Sequence, residues 1–182
     1  MFLGVHSIAI VSPSLRARTV HRLGEGAWKG LYSLISLVGF VLICYGFGAA
    51  RQAPVVLYSP PIWLRHLALL IMLPVFPLLF AAYLPGRIKT AAKHPMLAAV
   101  KFWALAHLLA NGSLADVLLF GGFLAWAVAD RISVKRRPAL RAPRTAPPRA
   151  WNDAVAVVLG LAVYTLLIGW AHARLFGVSP IT

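Results

Sequence analysis

The stretch KFWALAHLLANG, residues 101–112, sets a lysine, a histidine and an asparagine among residues that are otherwise apolar. The apolar pattern continues on both sides and is broken at Asn111-Gly112-Ser113. Because Asn, Gly and Ser favour turns, this break predicts two helices, Pro95–Ala110 and 114–129, joined as a short hairpin. The hairpin is the feature from which the remaining helices can be placed.

Each helix of this hairpin has 16 residues by sequence, which corresponds to about 24 Å against a hydrocarbon core of about 30 Å. The hairpin must therefore lie deep in a bilayer or thin it locally. Ser113 and Asp116, three residues apart, have the spacing of a helix N-cap and its partner, with Asp in place of the usual Glu. The second helix is thus predicted to begin just after Ser113.

The composition of the whole chain supports a membrane location. Of 182 residues, 60% are hydrophobic and 12% are charged, whereas soluble domains average roughly 45–50% apolar and 25% charged residues. The mean hydropathy is +0.80. These values place the chain in the membrane class, and its length fits a single membrane-embedded domain over residues 1–182.

Further apolar runs approach the ~20 residues that a spanning helix needs; they are 30–48, Ile62–Tyr83 and 154–171. Residues 1–12 are apolar but span only roughly 18 Å, so this helix either begins inside the bilayer or continues from a start upstream. Pro74 and Pro77 are expected to kink the third helix, with neighbours satisfying the freed carbonyls. The predicted fold class is all-α: a polytopic membrane bundle of about six helices, the first one short.

The basic residues indicate the orientation of the bundle. Fourteen of the 18 Lys and Arg residues fall in three segments, 13–29, 84–94 and 130–152. By the positive-inside rule these segments are cytoplasmic, and both termini lie on the opposite side. Residues 131–150, rich in Pro and Arg, are expected to form an extended, solvated loop. This distribution favours anionic lipid headgroups as partners of the basic loops and argues against nucleic acid.

Two of the six histidines lie deep in the predicted helices. Counted from the basic ends, His6 is ~10 Å and His107 ~18 Å into the membrane, and with a short first helix the two are compatible with one level near mid-membrane. Neutral imidazoles from two helices are suited to bind haem iron from opposite faces. The alternative is that each histidine donates a hydrogen bond to a carbonyl or serine on a neighbouring helix. Trp103 shares the face of His107 and is either packed against a flat cofactor or part of the core.

Several short motifs are spread over nearly the whole chain. They are Gly4-Val5-His6-Ser7, Arg22-Leu23-Gly24-Glu25-Gly26, Lys29-Gly30-Leu31-Tyr32-Ser33, His94-Pro95-Met96-Leu97, Ala106-His107-Leu108-Leu109-Ala110-Asn111-Gly112 and Leu119-Phe120-Gly121-Gly122-Phe123. Together they resemble the NnrU family of bacterial membrane proteins, which is associated with nitrate and nitrite respiration. The resemblance implies a multi-pass protein of the bacterial inner membrane. The termini, which the basic residues place opposite the cytoplasm, are then expected on the periplasmic side.

The same superfamily is similar to plant zeta-carotene isomerase, a membrane enzyme with haem b held by histidines. The resemblance implies that His6 and His107 are the axial ligands here. In that enzyme a cysteine three residues before the second histidine is a proposed alternative ligand; Ala104 takes its place here, so this ligand switch is excluded.

Three functions remain open at this point. The first is a haem-binding protein that supports nitrate and nitrite metabolism (denitrification) or senses redox state. The second is a haem-dependent cis-trans isomerase of an apolar polyene or lipid, and the third is a non-catalytic scaffold in which the histidines link helices. Lys93-His94-Pro95 is similar to a motif of isoprenylcysteine-type methyltransferases, but the chain lacks their acidic pair near the C-terminus, which disfavours methyl transfer.

Overall fold

The protein is a bundle of helices in a computed structural model that describes residues 1–136 and 149–181. The helices are α1 (Phe2–Val11), α2 (Pro13–Leu23), α3 (Glu25–Ala50), α4 (Ile62–Met72), α5 (Val75–Tyr83), α6 (Arg87–Ala92), α7 (Pro95–Ala110), α8 (Leu114–Arg136), α9 (Ala150–Leu166) and α10 (His172–Phe176), with a π-helical turn at Leu167–Ala171 between the last two.

Within the described residues, four helical segments are long and apolar enough to cross a membrane: Glu25–Ala50, Ile62–Tyr83, Leu114–Arg136 and Trp151–Phe176. Two shorter apolar helices, α1 and α7, accompany them. The predicted all-α membrane bundle with a short first helix is therefore confirmed. α7 packs between α4, α5 and α8, while α1 packs against α3 and α8. α8 thus contacts both helices that contain the two deep histidines.

The second helix of the hairpin is longer than the sequence predicted. α8 has 23 residues and ends at Arg136 rather than at 129, so residues 131–136, which were expected to begin an extended loop, are helical. The prediction was wrong because charged residues were taken as the end of the helix, although no helix breaker occurs before Pro138. At the other end of the expected loop, Ala150 is already the first residue of α9. Residues 137–148 lie outside the described residues.

The kink expected at the prolines occurs at Pro74, between α4 and α5. The Leu73 N–H donates to the Leu70 carbonyl, three residues earlier, at 3.2 Å. In a regular α-helix it would donate to the Leu69 carbonyl, which therefore has no partner within its own helix. The Tyr164 hydroxyl of α9 donates to that carbonyl at 2.9 Å. A neighbouring helix therefore satisfies the carbonyl freed by the kink, as the sequence predicted.

The hairpin turn is held by the connection between α3 and α4, residues 51–61, which we call the strap. Leu57 N–H and Tyr58 N–H donate to the Gly112 carbonyl at 2.9 and 3.2 Å, and Leu114 N–H donates to the Val55 carbonyl at 2.8 Å. Gly112 is buried against the backbone of Tyr58, with no room for a side chain. The strap thus supplies hydrogen-bond partners to backbone groups at the turn that have no partner within a helix.

The start of α8 has the predicted capping pair. Asp116 N–H donates to Ser113 Oγ at 3.2 Å, and Ser113 N–H donates to Asp116 Oδ2 at 3.0 Å. This reciprocal arrangement is a capping box with Asp in place of Glu.

At the opposite end of the bundle, α9 is attached to α6 by polar contacts. The Asp153 carboxylate accepts hydrogen bonds from Arg87 N–H (2.8 Å) and Ile88 N–H (3.0 Å), the first amides of α6. Asn152, which is buried, donates to the Pro85 carbonyl at 2.7 Å. Gly86 packs directly against the Asp153 carboxylate, where any side chain would collide with it. Asp153 therefore caps a helix distant in sequence and fixes the α5–α6 corner to α9.

Replacing Asp153 with alanine is expected to lower the free energy of unfolding by about 1–2 kcal/mol, because the two α6 amides lose their acceptor. Thermal or denaturant unfolding of the purified protein in detergent measures this change. Glu25→Ala is the matched control, because Glu25 forms an exposed ion pair with Lys29 on its own helix, and exposed ion pairs contribute little to stability. Equal effects of the two substitutions would contradict a capping role for Asp153.

Candidate functional site

The two deep histidines share one local arrangement. His6 Nδ1 lies 2.9 Å from the Phe2 carbonyl oxygen, and His107 Nδ1 lies 2.9 Å from the Trp103 carbonyl oxygen. A carbonyl oxygen only accepts, so both Nδ1 atoms donate, and in the neutral form of such a ring the lone pair is on Nε2. Both acceptors are four residues earlier on the same helix. The alternative prediction, in which the histidines donate to neighbouring helices, is therefore wrong.

Each imidazole is also stacked on a phenylalanine. The Phe2 ring lies 4.3 Å from the His6 ring, with 29° between their planes. The Phe120 ring of α8 lies 4.4 Å from the His107 ring, at 25°. Phe120 is buried, with 5% of its surface exposed. A hydrogen bond in the ring plane and a stacking partner on one face together fix the orientation of each imidazole.

A continuous set of aromatic rings connects the two histidines. Phe123 of α8 lies 5.8 Å from Phe2 and 5.4 Å from Trp103, and Trp103 lies 5.3 Å from His107 (all between ring centroids). Trp103 therefore lies on the same face of α7 as His107, as the sequence predicted, and also packs against α8. We call His6, Phe2, Phe123, Trp103 and His107 the aromatic cluster.

The two histidines do not lie at a common depth. His107 contacts Phe120 of α8, whereas His6 contacts Trp126, with ring centroids 6.0 Å apart. These partners are six residues apart on one helix, which corresponds to about 9 Å along its axis. The prediction that His6 and His107 share one level was wrong. Counting residues gives the position of each histidine along its own helix, but it does not give how far one helix is shifted relative to the other. Phe2, Phe123 and Trp103 lie along the path between the two imidazoles.

The residues that the sequence did not reveal are Phe2, Phe120, Phe123, Tyr32 and Trp126. Tyr32 of α3 lies 5.2 Å from His6, and the Trp126 indole N–H is buried with no hydrogen-bond partner among the described residues. One signal was present in the sequence: an aromatic residue precedes each deep histidine by four positions. The partners on α8 carry no such signal.

The remaining candidates contribute less to a site. The described part of the chain contains no group of three or more His, Cys, Asp or Glu side chains that could hold a metal ion. At Lys93-His94-Pro95, Lys93 has a positive φ of 61°, and His94 N–H donates to the Ala92 carbonyl at 2.6 Å. This is a tight turn that directs the chain into α7, whose first residue is Pro95.

His107 lies one helical turn below the hairpin turn that the strap covers. The Tyr58 hydroxyl of the strap donates to the Leu108 carbonyl, next to His107, and Asn111 Nδ2 donates to the His107 carbonyl at 3.0 Å. Burial, and then the nearby Asp116 carboxylate, raise the pKa of Tyr58 above its usual range. The strap therefore holds the end of α7 on which His107 is placed.

This fold and this site define a multi-pass, all-α membrane protein with two oriented histidines in an aromatic cluster. The family model described as NnrU protein matches residues 1–180, and the chain belongs to that family. No curated protein and no solved structure matches the chain.

Tyr58→Phe is expected to lower the free energy of unfolding by about 1 kcal/mol, because the Leu108 carbonyl loses its donor. A raised pKa means that the neutral phenol is favoured in the folded state. The stability that the neutral Tyr58 phenol contributes is present below pH 10. It is lost as the pH rises through the raised pKa of Tyr58.

Unfolding measured between pH 7 and pH 11, together with the rate of tryptic cleavage at Arg51 in the strap, tests this role. Tyr83→Phe is the matched control, since Tyr83 is 77% exposed. Tyr58 would have no role in holding the strap if both variants unfolded and were cleaved like the original protein.

Proposed function

We propose that this protein binds haem b through the Nε2 atoms of His6 and His107 and supports nitrate and nitrite respiration. The observation that carries the proposal is the hydrogen bond from each Nδ1 to a carbonyl of its own helix. Histidines that ligate metals characteristically donate their other ring nitrogen in this way. Intramembrane ionisable residues with this arrangement are candidates for function rather than for helix packing.

The donor set fits a haem iron in its chemistry. Two neutral imidazoles with free Nε2 lone pairs lie in apolar, aromatic surroundings that suit a flat macrocycle, with Trp103 as a packing surface. The rings of Phe2 and Phe123 are in contact between the two histidines. Coordination of one iron by both imidazoles would therefore require these two rings and Trp103 to move aside. It would also require α1 and α7 to shift along α8, because the α8 partners of the two histidines are about 9 Å apart along that helix.

The chain itself contributes orientation, basicity and exclusion of water. The carbonyls of Phe2 and Trp103 fix the tautomer of each imidazole and strengthen Nε2 as a donor. The strap covers the hairpin end above His107. When bound, haem would supply one-electron redox chemistry, with a potential tuned by these hydrogen bonds and by the apolar surroundings.

The role in nitrogen-oxide respiration rests on membership of the NnrU family. The basic residues of 13–29 and 84–94 support an orientation with these segments in the cytoplasm of a bacterial inner membrane and both termini in the periplasm. In that orientation the basic segments would face anionic headgroups.

Protein purified in detergent after haem-replete expression is expected to show a sharp Soret band. His107→Ala and His6→Ala should each abolish the band or reduce it at least fivefold, because each removes one of the imidazoles that would hold the haem. His21→Ala is the matched control, because His21 is an exposed histidine on α2. Colourless original protein, or variants with full bands, would refute haem binding at these residues.

The physiological role requires a separate measurement. A strain that lacks the gene is expected to grow more slowly without oxygen when nitrate or nitrite is the electron acceptor. Complementation with the original gene or the His21→Ala gene should restore the rate, and complementation with His107→Ala should not. Full restoration by His107→Ala would show that the respiratory role does not depend on the histidine.

A further inference from the structure

Two buried hydrogen-bond donors on α8 have no acceptor among the described residues. They are Nε1 of the Trp126 indole and Nη1 of the Arg131 guanidinium. Removing a donor from water without giving it a partner costs free energy, and the cost is larger when the donor is charged. Arginine in particular is rarely buried unless it is paired. Two such donors on one helix therefore indicate that a group with acceptor atoms belongs in this part of the bundle.

Both donors lie in the part of α8 that leads away from the hairpin turn. Trp126 is next to His6, with 6.0 Å between the ring centroids and an angle of 87° between the planes. Arg131 follows five residues later, about 7.5 Å further along the helix axis. The last turn of α8 then contains Lys135 and Arg136, both exposed. The unpartnered donors thus extend from the His6 imidazole towards the basic end of α8.

The charges on α8 favour an anion at this end of the helix and not at the other. At the hairpin end, the ionised side chain of α8 is Asp116, whose carboxylate belongs to the capping box. At the opposite end, Asp130 is followed by three cations before the helix ends at Arg136. An anionic group placed near the hairpin turn would meet a carboxylate. An anionic group placed beyond His6 would meet a guanidinium that has an unused donor.

The positions of the two donors indicate two acceptor groups rather than one. Side chains five residues apart leave a helix in directions that differ by about 140°. Only side chains three or four residues apart are neighbours on a helix surface. A single small anion is therefore not expected to bridge the Trp126 indole and the Arg131 guanidinium. Haem b has two carboxylates on one edge of its macrocycle, so it offers a separate acceptor to each donor.

We propose that Trp126 and Arg131 bind the two carboxylates of haem b, so that the carboxylate edge of the macrocycle faces the basic end of α8. This proposal rests on the proposed function, because it takes His6 as a ligand of the haem iron. It does not require His107 to bind the same iron, since both donors lie beyond Phe123 at the end of α8 where His6 is placed.

A comparison of haem b with its dimethyl ester tests the proposal without any substitution. The ester keeps the iron and the macrocycle but replaces both carboxylates with neutral groups. The full-length protein, purified without haem in detergent, is titrated with each compound, and the Soret band gives the dissociation constant. The ester is expected to bind at least tenfold more weakly, because it cannot form charge-assisted hydrogen bonds with Arg131.

The titration separates the two proposals. Equal dissociation constants for haem b and the ester would overturn the carboxylate site and leave haem binding intact. The absence of a Soret band with both compounds would overturn the proposed function, and the carboxylate site with it.

Substitution of each donor tests its assignment. Trp126→Phe and Arg131→Gln are each expected to raise the dissociation constant for haem b at least fivefold, and to leave that for the ester within twofold of the value for the original protein. Trp151→Phe and Arg136→Gln are the matched controls, because Trp151 is 61% exposed and Arg136 is exposed at the end of the same helix. Circular dichroism melting establishes that the variants fold. Equal weakening for both compounds would show a packing role and overturn the proposal.

A phospholipid phosphate has similar acceptor chemistry and is the competing occupant of the two donors. The titration with haem b is therefore repeated in detergent that contains phosphatidylglycerol. The dissociation constant of the original protein is expected to change less than twofold. An increase of at least fivefold in the original protein, absent in Arg131→Gln, would assign the donors to a lipid phosphate and overturn the haem carboxylate site.

Discussion

The structure depends on the requirement that backbone polar groups removed from water find partners within the protein. The helices of this bundle are interrupted at several points. At three of these interruptions, another segment of the chain supplies the hydrogen-bond partner that the helix lacks. The Tyr164 hydroxyl reaches the Leu69 carbonyl at the proline kink, the strap pairs with Gly112 at the hairpin turn, and Asp153 caps α6. Because these partners come from residues far away in sequence, the breaks in the helices are also the points where the bundle is tied together.

The same requirement explains the form of the candidate site. A histidine in hydrocarbon must place its N–H on an acceptor, and His6 and His107 both use a carbonyl of their own helix. A histidine that joined two helices would use its hydrogen bond for packing. Here the packing is done by Phe2, Phe120 and Phe123 instead, so each imidazole keeps an Nε2 lone pair in an apolar environment. Packing and hydrogen bonding are thus carried by different side chains. This arrangement distinguishes a histidine that can serve as a metal ligand from a histidine that links two helices.

The sequence predicted α7 with both of its ends, because Pro95 fits the first turn of a helix and Asn111-Gly112 cannot continue one. It missed the end of α8, since the charged residues at 131–136 were taken as loop although the helix continues to Arg136. His6, His107 and Trp103 could be chosen from depth and spacing. Phe120 and Phe123 could not, because α8 is apolar on nearly all sides and its hydrophobic pattern does not show which face meets α1 and α7. The offset between the two histidines likewise depends on packing between helices.

The arrangement of α1, α3 and α8 bears on how any ligand would approach the histidines. At the hairpin end, an incoming molecule would have to separate the strap from Gly112 and Leu114, which breaks backbone hydrogen bonds where few substitutes exist. From the side of α1, it would have to displace the rings of Phe2, Phe123 and Trp103, which requires side-chain rotation rather than the opening of backbone hydrogen bonds. Rotation of such rings is a smaller rearrangement than opening a paired backbone segment. The strap and the aromatic cluster therefore close the two approaches to the histidines in different ways, one by backbone hydrogen bonds and the other by packing of rings.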